Sequence, residues 1–200
     1  CLKPGEVHSL ISNNPSEISR LWELLCLAQE KSLLKSNSFF PTSLCTKKEV
    51  RNEIFLLTPL FPSLSVFENV VMFEPSLYNQ SRLLLKVQFR NLIEEFNLSV
   101  SANTLPKNLS TEQNLLISLL RVYVHRPCIV FIPEGLDRFI EYSYANTFEK
   151  LMNAIKSNGT TLVFLTSQYE IAMLYSDRVS IVRNGKIIST HITSVIQRYP

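Results

Sequence analysis

Apolar and polar positions along this chain fall into blocks that switch between the strand period and the helix period. Glu6 to Ser12 alternates and then turns apolar, which predicts a strand. Asn14-Pro15-Ser16-Glu17 follows. Asn14 is suited to cap a helix, Pro15 to open it, and Glu17 stands three residues past the cap. Ile18, Leu21, Trp22, Leu25 and Ala28 then recur at helical spacing. Leu33 to Lys48 is polar and irregular and reads as a loop. Ile54 to Leu57 is a short apolar run ended by Pro59 and Pro62, as a strand leaving into a loop would be.

From Ser65 to about Val124 the pattern turns helical. Ser81 is placed to cap a helix that buries Leu84, Val87, Leu92 and Phe96. Ser110 is placed to cap another, with Gln113 completing a capping box and Leu116, Leu119, Leu120 and Tyr123 inward. Cys128 to Ile132 is continuously apolar, the mark of a strand buried on both faces. Tyr142 to Ser157 predicts a helix ended by Asn158-Gly159. Thr161 to Leu165 predicts a second buried strand, and Ser167 to Tyr175 a short helix. Val179 to Ile188 predicts a hairpin turned at Asn184-Gly185. The expected class is α/β: a core sheet flanked by helices, with a helical lobe inserted in the middle.

Composition narrows the chemistry. The chain has 200 residues, 46% hydrophobic and 18% charged, enough for a sizeable core. No apolar run approaches the ~18 residues of a membrane span, so direct insertion is not expected. Net charge is +3 with no basic stripe, which gives no reason to invoke nucleic acid. Four cysteines are widely spaced and are expected to be reduced; neither they nor the three histidines show metal-ligand spacing. Only four glycines occur, where average usage predicts roughly fourteen, and no two are close. A phosphate cradle of clustered glycines is therefore excluded. The chain starts almost on its first core strand, so an N-terminal edge element of the sheet is expected to be missing, as in a domain cut from a longer chain.

Several segments share a resemblance. Pro4-Gly5-Glu6-Val7-His8-Ser9-Leu10 resembles the lead into the Walker A loop of ATP-binding cassette (ABC) ATPases, in the branch that energises carbohydrate importers. Leu60 to Val70 resembles the segment after the Q-loop. Leu109-Ser110-Thr111-Glu112-Gln113 resembles the signature motif, Arg126 to Glu134 the Walker B region, and Asp177 to Ile187 the hairpin after the switch histidine. The segments keep the family's order and span nearly the whole chain. The resemblance implies a P-loop NTPase-type fold, with a core over 1–58 and 127–200 and a lobe over 59–126. It also implies a cytoplasmic setting, at the inner face of a membrane when a partner holds it there.

The reactive positions of that family do not survive in the matching stretches. The Walker A loop corresponds to Ser12-Asn13-Asn14-Pro15-Ser16-Glu17-Ile18-Ser19. Every glycine is replaced, Pro15 has no N–H, and Ile18 stands at the lysine position. Ser19 alone matches, at the magnesium-binding hydroxyl. Glu17 is expected to reach back to the helix cap and take the donors an anion would use. Its charge opposes a phosphate as well, by about 4 kcal/mol per unit charge at 4 Å and an effective dielectric of 20. Leu56 stands at the Q-loop glutamine, Pro133 at the Walker B aspartate and Gln168 at the switch histidine. Glu134 matches the catalytic base, but without metal and nucleotide it has nothing to activate. Ser110 and Gln113 match the signature, yet a capping box explains both, and Glu112 replaces a glycine there.

Phosphoryl transfer depends on positioning and charge stabilisation, so the expectation is a pseudo-ATPase. No catalytic residue, no cofactor and no metal are expected. The implied role is a protein-interaction or regulatory module. Its partner would be a permease, a signalling domain of the same chain or another ABC-type subunit, and any homodimer would not be driven by ATP. The alternative is a divergent ATP-binding subunit of a carbohydrate-type ABC transporter, which would use ATP and magnesium.

Overall fold

The computed structural model describes residues 2–30, 51–71, 80–135 and 142–196. The loop expected over 33–48 lies outside them. In chain order the elements are β1 (Val7–Ile11), α1 (Pro15–Glu30), β2 (Arg51–Leu56), α2 (Val66–Val71), α3 (Arg82–Glu95), α4 (Thr111–His125), β3 (Pro127–Ile132), α5 (Tyr142–Ser157), β4 (Thr161–Thr166), α6 (Tyr169–Tyr175), β5 (Arg178–Arg183), β6 (Lys186–Ile192) and α7 (Thr193–Ile196). The chain divides into two units. One holds Cys1–Leu57, Arg126–Asp137 and Ile155–Pro200; the other holds Thr58–His125 and Arg138–Ala154. The stretch Arg138–Ala154, counted with the core on sequence, thus groups with the second unit.

The first unit is built on one six-stranded sheet in the order β2-β3-β4-β1-β5-β6. All neighbours are parallel except β5 and β6. Parallel neighbours need long crossovers, which is why helices separate these strands in sequence. Every residue of β3 and β4 is buried, as their unbroken apolar runs require. Helix α1 seats Ile18 against Leu56, Cys128, Ile129, Phe131, Val163 and Leu165, with Leu21, Trp22, Leu25 and Cys26 packed at the margin. Helix α6 seats Ala172 with Ile11 and Val179. Asn184 (φ 52°) and Gly185 (φ 69°) make the left-handed pair that a two-residue hairpin turn demands. Cys128 is disulfide-bonded, which corrects the expectation of four reduced thiols; Cys26 is not in a disulfide. Distance along the chain places no limit on which cysteines meet in space, since a bridge asks only for close Cα atoms.

A polar chain, buried at Glu6, His8 and Ser180, runs across β1, β5 and β6. Glu6 Oε1 accepts from the Lys3 N–H at 2.7 Å and faces Arg178 at 3.5 Å and His8 Nδ1 at 3.3 Å. His8 Nε2 lies 2.8 Å from Ser180 Oγ, which lies 2.6 Å from Thr190 Oγ1. A neutral His8 satisfies the chain by donating from Nδ1 to Glu6 and accepting at Nε2 from Ser180. Burial is the main reason its pKa is lowered from 6.5, opposed by the bond to Glu6. The folded state therefore resists a proton that the unfolded chain accepts. Stability should be steady above pH 6.5, fall as pH drops below it, and level off below the folded pKa. Urea midpoints measured against pH for the parent and His8→Gln should show this slope in the parent and lose it in the variant.

In the second unit, Asn69 is fully buried and organises the turn before α2. Its Oδ1 accepts from the Phe61 N–H at 2.7 Å, and its Nδ2 donates to the carbonyls of Phe61, Leu64 and Ser65 at 3.0–3.1 Å. Phe67 meets Phe89 edge to face with ring centres 5.7 Å apart. Ser81 caps α3 through the Leu84 N–H, as expected. The expected buried stripe of α3 is corrected: Leu84 and Val87 are exposed, and Phe89 and Phe96 are buried, with Leu85, Leu92 and Ile93 between the two states. Helix α3 opens Arg-Leu-Leu-Leu, so apolar residues fit two helical registers, and the Phe67 ring selects the one that buries Phe89. Arg121 of α4 is 1% exposed and donates to the Thr58 carbonyl at 2.6 Å; burial lowers its pKa to about 10, so it stays charged at neutral pH. No helix among the described residues is long and apolar enough to cross a membrane.

Candidate functional site

The turn from β1 into α1 carries Ser12, Asn14, Glu17, Ile18 and Ser19. Ser12 is buried; its Oγ accepts from the Asn14 N–H at 3.2 Å and donates to Glu17 Oε2 at 2.6 Å. Asn14 Oδ1 accepts from the Ser16 N–H at 3.1 Å, so it caps α1 as expected. The expected return of Glu17 to the backbone of Asn14 does not occur. Its Oε1 instead accepts from the Gly185 N–H of the hairpin at 2.6 Å. The carboxylate thus bridges Ser12 and the hairpin tip, and the Asn14 N–H it was expected to take is held by Ser12 Oγ instead. The Ser12 hydroxyl first, and then the Gly185 N–H, hold its pKa below the usual carboxylate value.

Ile18, set by the resemblance at the lysine position, is 1% exposed and points into the core cluster. Ser19 is exposed and spends its hydroxyl on the Pro15 carbonyl one turn back, at 3.1 Å. Leu56 is also core, at the end of β2. Pro133 and Glu134 follow β3. Glu134 Oε1 accepts from both the N–H and the hydroxyl of Ser167, at the end of β4. Gln168 donates its N–H to Thr166 Oγ1 at 3.0 Å and precedes α6 without a side-chain cap. Among the described residues no three His, Cys, Asp or Glu side chains gather as a metal site.

In the second unit, Ser110 and Gln113 form the expected capping box. Gln113 Oε1 accepts from the Ser110 N–H at 3.0 Å, and Ser110 Oγ accepts from the Gln113 N–H at 3.2 Å. Glu112 has a lowered pKa, chiefly through the Ser110 hydroxyl. Replacing Ser110 by Ala should cost about 1 kcal/mol of stability, read as a lower urea midpoint. No loss at all would remove the cap as the reason for this serine. The hairpin partner of Glu17 is the contact that sequence reasoning missed. Its signal was a left-handed Asn184-Gly185 tip with a free N–H, whose destination no local pattern reveals.

The fold is that of ABC ATPase domains. Over 96% of this chain and 88% of the other, it superposes at a TM-score of 0.68 and 17% identity on a dimeric ATP-binding cassette in a post-hydrolysis state, bound to ADP and Pi. A nucleotide-free ATP-binding cassette from an ABC transporter gives 0.66 and 18%, over 96% of this chain and 82% of the other. By sequence the chain is similar to the Fe(3+) ions import ATP-binding protein FbpC of Fusobacterium nucleatum, 26% identical over 93% of this chain and 50% of that protein. It is also similar to the spermidine/putrescine import ATP-binding protein PotA of Treponema pallidum, 28% identical over 70% of this chain and 37% of that protein. The chain spans half or less of the length of these curated relatives, whose names speak of iron and polyamines. No family model matches the chain.

Proposed function

We propose that this chain is a catalytically inactive ABC domain that serves as a protein-interaction or regulatory module of a larger protein. The observation that carries the reading is the pair Glu17 and Ile18. Where the family presents a lysine to a triphosphate, this chain turns Ile18 into the core and holds an ionised carboxylate beside it. A magnesium triphosphate does not fit that turn. Its charge meets Glu17, and the Ser19 hydroxyl is engaged with the backbone. Glu134 has its Oε1 tied to the N–H and hydroxyl of Ser167 and has no metal or lysine position beside it in this reading. Neither a catalytic residue nor a nucleotide cofactor belongs to this reading.

The partner surface we assign is the helical lobe over 59–126. Helix α3 exposes Leu83, Leu84 and Val87 on its solvent side, an apolar face suited to another protein. A permease or an adjoining signalling domain would seat there, on the cytoplasmic side of a membrane. Phosphate release by the chain alone at saturating Mg-ATP should equal the buffer rate, and adding the chain to an intact ABC subunit should leave that subunit's own rate unchanged. Steady release by the chain alone would end this reading.

A second reading is a divergent ATP-binding subunit of an importer, of carbohydrate type by its motifs. Its support is the sequence similarity to importer ATP-binding proteins across nearly the whole chain. It requires Ser110 and Gln113 to serve a nucleotide held by an intact partner. ATP-dependent dimerisation with such a partner, seen by light scattering, would favour it over the first.

A further inference from the structure

A cleft of about 500 Å³ opens in the first unit between α1 and the β5–β6 hairpin. Its apolar side is made by Leu21 and Leu24 of α1 and Val182 of β5. Leu24 is 56% exposed, a large apolar surface left to water at the mouth of a concave site. Arg20 stands on the same wall, next to Leu21 in sequence. Among the described residues its guanidinium has no hydrogen bond or ion pair. Asn184 and Gly185 of the hairpin tip also line the cleft. Glu17 also lines the cleft, but both of its oxygens are already bonded, to Ser12 and Gly185.

We propose that this cleft binds a small amphiphilic monocarboxylate, with its head on Arg20 and its apolar body over Leu21, Leu24 and Val182. Three features select that chemistry. A planar guanidinium matches the two oxygens of a carboxylate in a fork. The fixed charge of Glu17 nearby opposes a dianion such as a phosphate ester more strongly than a monoanion. The volume falls in the ~300–1,000 Å³ range of small-molecule sites, whose walls combine apolar surface with a few polar anchors. The inference shares Glu17 with the nucleotide reading, but its anchors Arg20, Leu24 and Val182 play no part in that reading.

The test is an NMR titration of the 200-residue chain with sodium decanoate below its micelle concentration, beside decanol and beside the variants Arg20→Gln and Leu24→Ser. Both positions are exposed, so both variants should keep the parent's amide spectrum. Decanoate should give saturable shifts at the Asn184 and Gly185 amides and the Leu21 and Leu24 methyls, with a Kd below about 1 mM. Arg20→Gln and the switch to decanol should each weaken binding about tenfold. Leu24→Ser should weaken decanoate as well. The proposal is overturned by the absence of saturable shifts, by equal affinity for decanol, by undiminished binding in Arg20→Gln, or by shifts that track self-association of the chain at this face.

Discussion

Replacing Ile18 by Lys, the residue that the resemblance to ABC ATPases sets at this position, is expected to unfold the first unit rather than open a nucleotide site. Ile18 is 1% exposed and surrounded by Leu56, Cys128, Ile129, Phe131, Val163 and Leu165. An ammonium there has no acceptor among those side chains, and burying an unpaired charge is far costlier than losing the isoleucine contacts. The expected loss is on the order of 4 kcal/mol, a large part of the ~5–15 kcal/mol that keeps a domain folded. Ile18→Val, which removes one methylene, should lose only about 1 kcal/mol. Urea melts of both variants measure the contrast. An Ile18→Lys protein as stable as the parent, and now binding Mg-ATP, would show that the helix start can turn this position outward.

Asn69→Ala is the second large effect expected, in the other unit. The amide of Asn69, itself fully buried, closes the turn over Phe61 to Ser65 by accepting one hydrogen bond and sharing its two N–H groups among three carbonyls at partly buried positions. Alanine leaves the Phe61 N–H without that acceptor and the Leu64 carbonyl without that donor, while the Phe61 and Ser65 carbonyls keep the backbone N–H groups of Leu64 and Asn69. Each buried group left unsatisfied costs about 1–3 kcal/mol, and the carbonyls are the less demanding. A loss of about 3 kcal/mol follows, together with faster hydrogen exchange at the Phe61 amide. Asn69→Asp should be worse, because it removes the donors and adds a buried charge. Unchanged exchange at Phe61 in Asn69→Ala would mean that the turn is held by its own backbone.

Elements set by local chemistry could be read from the sequence. The apolar runs of β3 and β4, the Asn184-Gly185 turn and the Ser110–Gln113 box each depend on residues a few positions apart. The spacing Ser65-x-x-Glu68 carries the same kind of signal: Glu68 takes the Ser65 N–H at 3.0 Å, at the start of α2. What failed depends on distant neighbours. The buried face of α3 was set by Phe67 on another helix, not by its own spacing. The second partner of Glu17 lies 168 residues along the chain, and that of His8 lies 172. Helix period and capping rules carry no term for such pairs. For the candidate site, the residue types at the turn could be read directly. The inward turn of Ile18 followed from its place in the helical stripe, whereas the bridge made by Glu17 required the hairpin to be in place.

The account rests on a turn whose carboxylate is engaged and whose Ile18, set by the resemblance at a lysine position, faces the core. Equilibrium calorimetry with Mg-ATP on the folded chain is the most direct test of it. The predicted result is no saturable heat up to millimolar nucleotide, with Glu17→Gln giving no gain, because the core-facing Ile18 offers no cation in either protein. A micromolar Kd for Mg-ATP in the parent chain would contradict it.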